Sequence, residues 1–147
     1  MPVADILFDK FEANRREIKG RILDVKVANN STISKTEKKE IDGLGETIVV
    51  HFEVTSKYAP DIGDIKLTGR VLYKTNDMDQ TLKEEKGKLV FKDMRALEEV
   101  QNAILRVSSV ESLILSKEIR LPPPLQLPFV TITDTKPLSD NEKRGYA

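Results

Sequence analysis

The stretch ETIVVHFEVTSKYAPDIGDIKLTGRVLYK, Glu46 to Lys74, decides the fold, because it alternates apolar and polar residues twice with a turn between. In its first half Ile48, Val50, Phe52 and Val54 fall on one side and Val49, His51, Glu53 and Thr55 on the other. This is the period of a strand with one apolar face and one mostly polar face. In its second half Ile65, Leu67, Val71 and Tyr73 share a face with Gly69, opposite Lys66, Thr68, Arg70 and Lys74. Between the halves Pro60 sets a turn φ, Asp61 can bond its own backbone and Gly63 is conformationally permissive. The spacing predicts an antiparallel hairpin joining Glu46–Tyr58 to Asp64–Lys74. A glycine on the inward face, Gly69, lets another element approach closely.

Upstream, RILDVKVANN alternates through Leu23, Val25 and Val27 and ends at Asn29-Asn30, which reads as a third strand. The segment Ser31 to Gly45 has only Ile33, Ile41 and Leu44 as apolar residues and reads as a strand end followed by a mobile loop. Ile6 to Arg15 stays open between two readings. Leu7, Phe8 and Phe11 suit a helical stripe, while Ile6, Phe8 and Lys10 against Leu7, Asp9 and Phe11 allow a strand.

Downstream of Lys74 the period changes. Asn76 or Asp77 can cap a short helix that stops at Gly87. After Asp93, spacings of three and four run through Met94, Leu97, Val100, Ile104, Val107 and Glu111, joined by Val110, Leu113, Ile114 and Ile119. A helix from Met94 to Glu118 would span about 35 to 40 Å. SSVE, from Ser108, can cap a second helix, so the run is either one helix or two that bend or break at Ser108-Ser109. Strands first and helices second give an α+β class: two layers, an antiparallel sheet of about four strands with one face covered by two helices.

The helix is followed by IRLPPPLQLPFVTI, Ile119 to Ile132. Proline drives its preceding residue out of the α region, so the chain beyond Pro122 is extended. Leu121, Leu125, Leu127, Phe129, Val130 and Ile132 are too apolar for a solvated linker. A segment that cannot donate along Pro122 to Pro124 yet is apolar belongs in a groove or on a sheet edge. It therefore reads as a stiffened return arm that packs across the domain or onto a neighbouring subunit. Residues 1–136 form a single domain on this reading, and 137–147 a flexible tail.

Composition narrows the function. Lys plus Arg equals Asp plus Glu at 24 each, so no overall field attracts nucleic acid or anionic lipid. Cysteine is absent, which removes disulfides, thiolate metal sites and thiol nucleophiles and fits a reducing, cytoplasmic setting. Acids at Asp5, Asp9 and Glu12 interrupt the first apolar stretch and no run of apolar residues is long enough to span a bilayer, so neither an export signal nor a membrane span is expected. His51 is the single histidine and reads as structural. Asp61 and Asp64 could bind a cation through oxygen, but turn chemistry accounts for them. Lys83, Lys86, Lys88 and Lys92 with Phe91 could touch nucleic acid, but Glu84, Glu85 and Asp93 dilute them and a solvated helix face accounts for them. Gly43, Gly45, Gly63, Gly69 and Gly87 make no phosphate-binding spacing. Asn102, beside Val100 and Ile104, must have a partner if it faces the sheet, and reads as making a structural, specificity-setting hydrogen bond. No enzyme, no catalytic residue, no metal and no cofactor is expected. The apolar arm, with Leu105 and Leu115 outside the main stripe, predicts a homodimer or a dimer of dimers.

The string VVHFEVTSKYAPDIGDIKLTGRVLYK, the helix segment EEVQNAILR and the RLPPPLQLP end together resemble a group of small archaeal proteins with a Tyr-x-Pro-x-x-Gly turn and an LPPP end. The order of elements is also similar to the two-layer fold of the export chaperone SecB. That likeness implies a holdase that receives extended apolar polypeptide beside the proline arm, at Leu121, Pro123, Leu125, Leu127 and Phe129, with no nucleotide. The resemblance carries over no catalytic or ligand residues. The chain departs from the export chaperone in lacking a glycine-rich acidic tail, since Ser139 to Ala147 is mixed in charge, which argues against work with an export motor. The competing expectation is a structural or nucleic-acid-associated subunit that uses Lys83 to Lys92 and Ser31 to Gly45.

Overall fold

In a computed structural model, residues 3–17 and 24–125 are described. Strands β1 (Val3–Arg15), β2 (Lys26–Ile41), β3 (Gly45–Ala59) and β4 (Gly63–Tyr73) form one antiparallel sheet in the order β1-β4-β3-β2. Helix α1 (Met78–Thr81), the two-stranded sheet of β5 (Leu82–Glu85) and β6 (Lys88–Phe91), and helix α2 (Met94–Glu118) follow. The fold is α+β, with the four-stranded antiparallel sheet as its frame.

The β3–β4 hairpin has the expected register, with Phe52 opposite Gly69 and Val54 opposite Leu67. Its inward residues Ile48, Val50, Phe52, Ile65, Leu67 and Val71 are fully buried and make the centre of the core. Gly69 is inward for a steric reason: a Cβ there would lie 2.5 Å from the Leu7 carbonyl oxygen and 2.8 Å from the Phe52 ring.

The open segment Ile6 to Arg15 is a strand, and bulges explain its mixed pattern. Register shifts at Ala4 and Asp9 leave Ile6 and Phe8 opposite Val71 and Gly69, and then put Phe11 opposite Leu67. Phe8 and Phe11, three apart, thus share the core face, with ring centroids 5.1 Å apart. The mobile loop expected over Ser31 to Gly45 is instead mostly β2, which pairs with β3 from Lys26 to Ile41 and turns at residues 42–44. A third bulge at Ser34 flips its alternation. This edge strand is polar on both faces, so it carries no amphipathic signal. Residues 18–23, including the start of the expected third strand, lie outside the described residues.

The helix expected to run to Gly87 is a single turn. Asp77 caps it, its side chain accepting from the Gln80 N–H at 3.1 Å, and the chain then turns back as β5–β6. Lys86 and Gly87 both have positive φ, 53° and 77°, the two-residue turn that suits a tight hairpin.

Helix α2 is continuous through Ser108-Ser109. Its buried side steps by four through Ala96, Val100, Ile104, Ser108, Ser112 and Ser116. Only Val100 and Ile104 of the six expected stripe positions are fully buried, because in the second half of the helix Ser108, Ser112 and Ser116 take the inward positions. Asn102 is exposed rather than turned to the sheet.

Candidate functional site

Helix α2 ends before the prolines. Arg120 takes a left-handed φ of 57°, and the Leu121 N–H bonds back to the Ser116 carbonyl at 2.8 Å. This closing pattern satisfies the last carbonyls and turns the chain back over the sheet. Leu121 is buried against Gly63, where an added Cβ would meet Leu121 Cδ1 at 2.8 Å. Prolines offer carbonyls and no N–H, so their partners must be donors. The Tyr58 hydroxyl donates to the Pro122 carbonyl at 2.6 Å, and Asn29 Nδ2 donates to the Pro124 carbonyl at 2.7 Å. The buried Ser56 hydroxyl donates to Asn29 Oδ1 at 2.6 Å, which fixes the amide. Burial pushes the Tyr58 phenol up to about 12. The arm is thus clasped over β3 and β2 as far as Leu125.

Of the surface expected along that arm, Leu121 belongs to the core, Pro123 and Leu125 are exposed, and Leu127 and Phe129 lie outside the described residues. Pro123 borders a shallow apolar cleft with Leu113, Ile114 and Leu121.

A larger groove, missed in the sequence, lies at the other end of the same face of β2. It is lined by Ile33 to Thr36 of β2, Gly87 to Phe91 of the hairpin, and Leu97 and Gln101 of α2, and holds roughly 830 Å³. That volume is typical of a cleft that binds a ligand. Ile33, Leu89, Phe91 and Leu97 make it apolar; its charged residues are Lys35 and Lys88, and among the described residues no carboxylate lines it. Among the described residues strand β6 pairs only with β5. In a two-residue hairpin the pair beside the turn, here Glu85 and Lys88, exchanges hydrogen bonds, so the main-chain groups of Leu89 and Phe91 point away from β5. Asn29 and Ile33 sit on the same face of β2, opposite the inward residues Ser56 and Phe52, about 13 Å apart at strand rise. Leu105, one helical turn beyond Gln101 on the same side of α2, is 49% exposed. Groove and arm thus flank the same face of β2, with the exposed Leu105 of α2 on the groove side of the helix.

Roughly opposite Gln101 around the helix, Ala103, Val107, Val110 and Ile114 recur at spacings of four and three, with Val110 57% and Ile114 48% exposed. Leu115, expected outside the stripe, packs against the core.

The remaining candidates have local partners. On the outer sheet face His51 Nε2 lies 3.2 Å from Glu37 Oε1, with Lys35 and Lys39 at 3.1 and 3.2 Å. The hydrogen bond from His51, then those from Lys35 and Lys39, hold the Glu37 carboxyl down to about 2. Arg16 bridges Asp61 and Asp64, and Asn14 donates to Asp64. Those contacts hold the Asp64 carboxyl below the ordinary range, the hydrogen bond from Asn14 contributing most. Lys83 pairs with Glu85 at 3.7 Å, on a strand rather than the expected helix face. Among the described residues no three His, Cys, Asp or Glu side chains gather to hold a metal, and no helix is long and apolar enough to cross a membrane.

No family model matches the chain, and no curated protein matches its sequence. Among solved structures it is similar to the SecB-like chaperone Rv1957 of Mycobacterium tuberculosis, in complex with a ChAD peptide from an antitoxin. The two share a TM-score of 0.59 over 88% of each chain at 12% sequence identity. At that identity the likeness is one of fold, and the fold is SecB-like.

Proposed function

We propose that this protein is a non-enzymatic holdase that binds extended apolar polypeptide segments in the groove between β2 and α2. The observation that carries the reading is the apolar groove at the β6 hairpin, beside a strand edge left unpaired among the described residues, with a stiffened arm bearing exposed Pro123 and Leu125 further along the same face of β2. The SecB-like fold supports it, since the neighbour's structure holds a peptide. Binding of this kind needs shape and apolar surface, with no metal, nucleotide or reacting group. The protein works as a homodimer or a dimer of dimers in the cytoplasm, with Val110 and Ile114 of α2 and the partly exposed Phe11 of β1 covered by a second copy.

Aggregation suppression on an unfolding client tests the reading, run with wild-type protein and with Leu89→Asp and Leu105→Asp. Suppression that holds or strengthens with salt and falls in both variants supports it. Binding of single-stranded DNA or RNA that weakens steeply with salt, without client protection, would favour a nucleic-acid-associated subunit instead. Light scattering that gives a monomer mass at micromolar concentration would remove the oligomer.

A further inference from the structure

The charges around the groove narrow what it accepts. Lys35 is spoken for, with its ammonium 3.1 Å from Glu37 on the outer face of the sheet. Lys88 makes no ion pair among the described residues, is exposed, and stands at the start of β6, beside the open edge. On that strand Lys88 and Val90 point to one side, Leu89 and Phe91 to the other. A segment added to the edge would alternate in the same way. One of its faces would meet Leu89 and Phe91, and the other would meet Val90 and the Lys88 ammonium.

From this geometry we infer that the groove selects extended segments with apolar residues at alternate positions and a carboxylate, from Asp, Glu or a chain end, placed opposite Lys88. This rests on the holdase reading and adds a charge rule to it. Basic segments are disfavoured because Lys88 repels them and, among the described residues, no carboxylate lines the groove to offset that.

The test uses the full-length protein and three labelled nine-residue peptides of one apolar sequence whose central position is Glu, Gln or Lys, followed by fluorescence anisotropy. The Glu peptide is expected to bind about fivefold more tightly than the Gln peptide, and the Lys peptide more weakly than both. The spread should shrink in molar salt, where screening reaches a few ångströms. Lys88→Glu, at an exposed strand position that tolerates it, should invert the order, and Lys88→Gln should flatten it. Equal binding of all three, or an order untouched by Lys88→Glu, overturns the charge rule and leaves the holdase reading standing. If no peptide binds, both fall.

Discussion

Asn29→Ala is the substitution that reports on the arm. The Asn29 side chain accepts from Ser56 Oγ at 2.6 Å and donates to the Pro124 carbonyl at 2.7 Å, so truncation strands one group on each side. Ser56 is buried, and a buried hydroxyl left without a partner costs about 1–3 kcal/mol. Asn29 itself is exposed, so water can enter the space it leaves and reach the carbonyl. The lower half of that range is therefore expected, about 1–2 kcal/mol, with the melting temperature falling by about 2–4 °C for each kcal/mol. Ser56→Ala in the Asn29→Ala background removes the stranded hydroxyl and should restore about 1 kcal/mol, a coupling of the size seen for residues in one hydrogen-bond network. Urea unfolding followed by circular dichroism and tyrosine fluorescence measures all four corners of the cycle, the chain having no tryptophan. A single-mutant loss under about 0.3 kcal/mol, or a double mutant no more stable than Asn29→Ala, would refute the clasp.

Gly69→Ala should destabilise by about 1–3 kcal/mol in the same assay, since the new methyl must displace the Leu7 backbone or the Phe52 ring. Ser108→Ala should stabilise by about 1–2 kcal/mol, because the Ser108 hydroxyl is buried with no hydrogen-bond partner among the described residues and alanine favours the helix. The Tyr58 phenol, raised from 10.0 to about 12, favours the folded state fully below pH 10. That contribution is lost as pH rises through 12, and tyrosinate absorbance should show Tyr58→Phe removing the late-titrating group.

What can be read in the sequence follows from where burial is one-sided. Strands β3 and β4 sit at the centre of the sheet, and their alternation survives because one face is core along most of their length. Strand β1 stays ambiguous in sequence because the bulge at Asp9 moves Phe11 onto the face of Phe8, a spacing of three that imitates a helix. In β2 the inward positions beyond Ile33 are Thr36 and Lys38, so an edge strand carries the composition of a loop. The β5–β6 hairpin has four-residue strands, too short for a period to show, and its one signal, the Lys86-Gly87 turn, reads equally well as a helix end.

Helix α2 shows why the site is harder to read than the fold. Its apolar residues read as one stripe, yet in its second half serines face the sheet while Val110 and Ile114 are turned out. Hydrophobic periodicity reports that a face is covered and not what covers it. Burying Val110 and Ile114 and exposing Ser108 would suit a lone chain better, and that is why the proposed second copy is placed on this flank. The same helix thus presents three sides: the buried one from Ala96 to Ser116, the groove side with Leu97 and Gln101, and the exposed flank of Val110 and Ile114, to which the proposed second copy is assigned. Strand β2, polar and, among the described residues, unpaired along its outer edge, complements it. With lysines and a bulge that edge resists indiscriminate strand pairing, and the proposed association with extended chains falls to the groove beside β6, where Lys88 stands at the start of the strand.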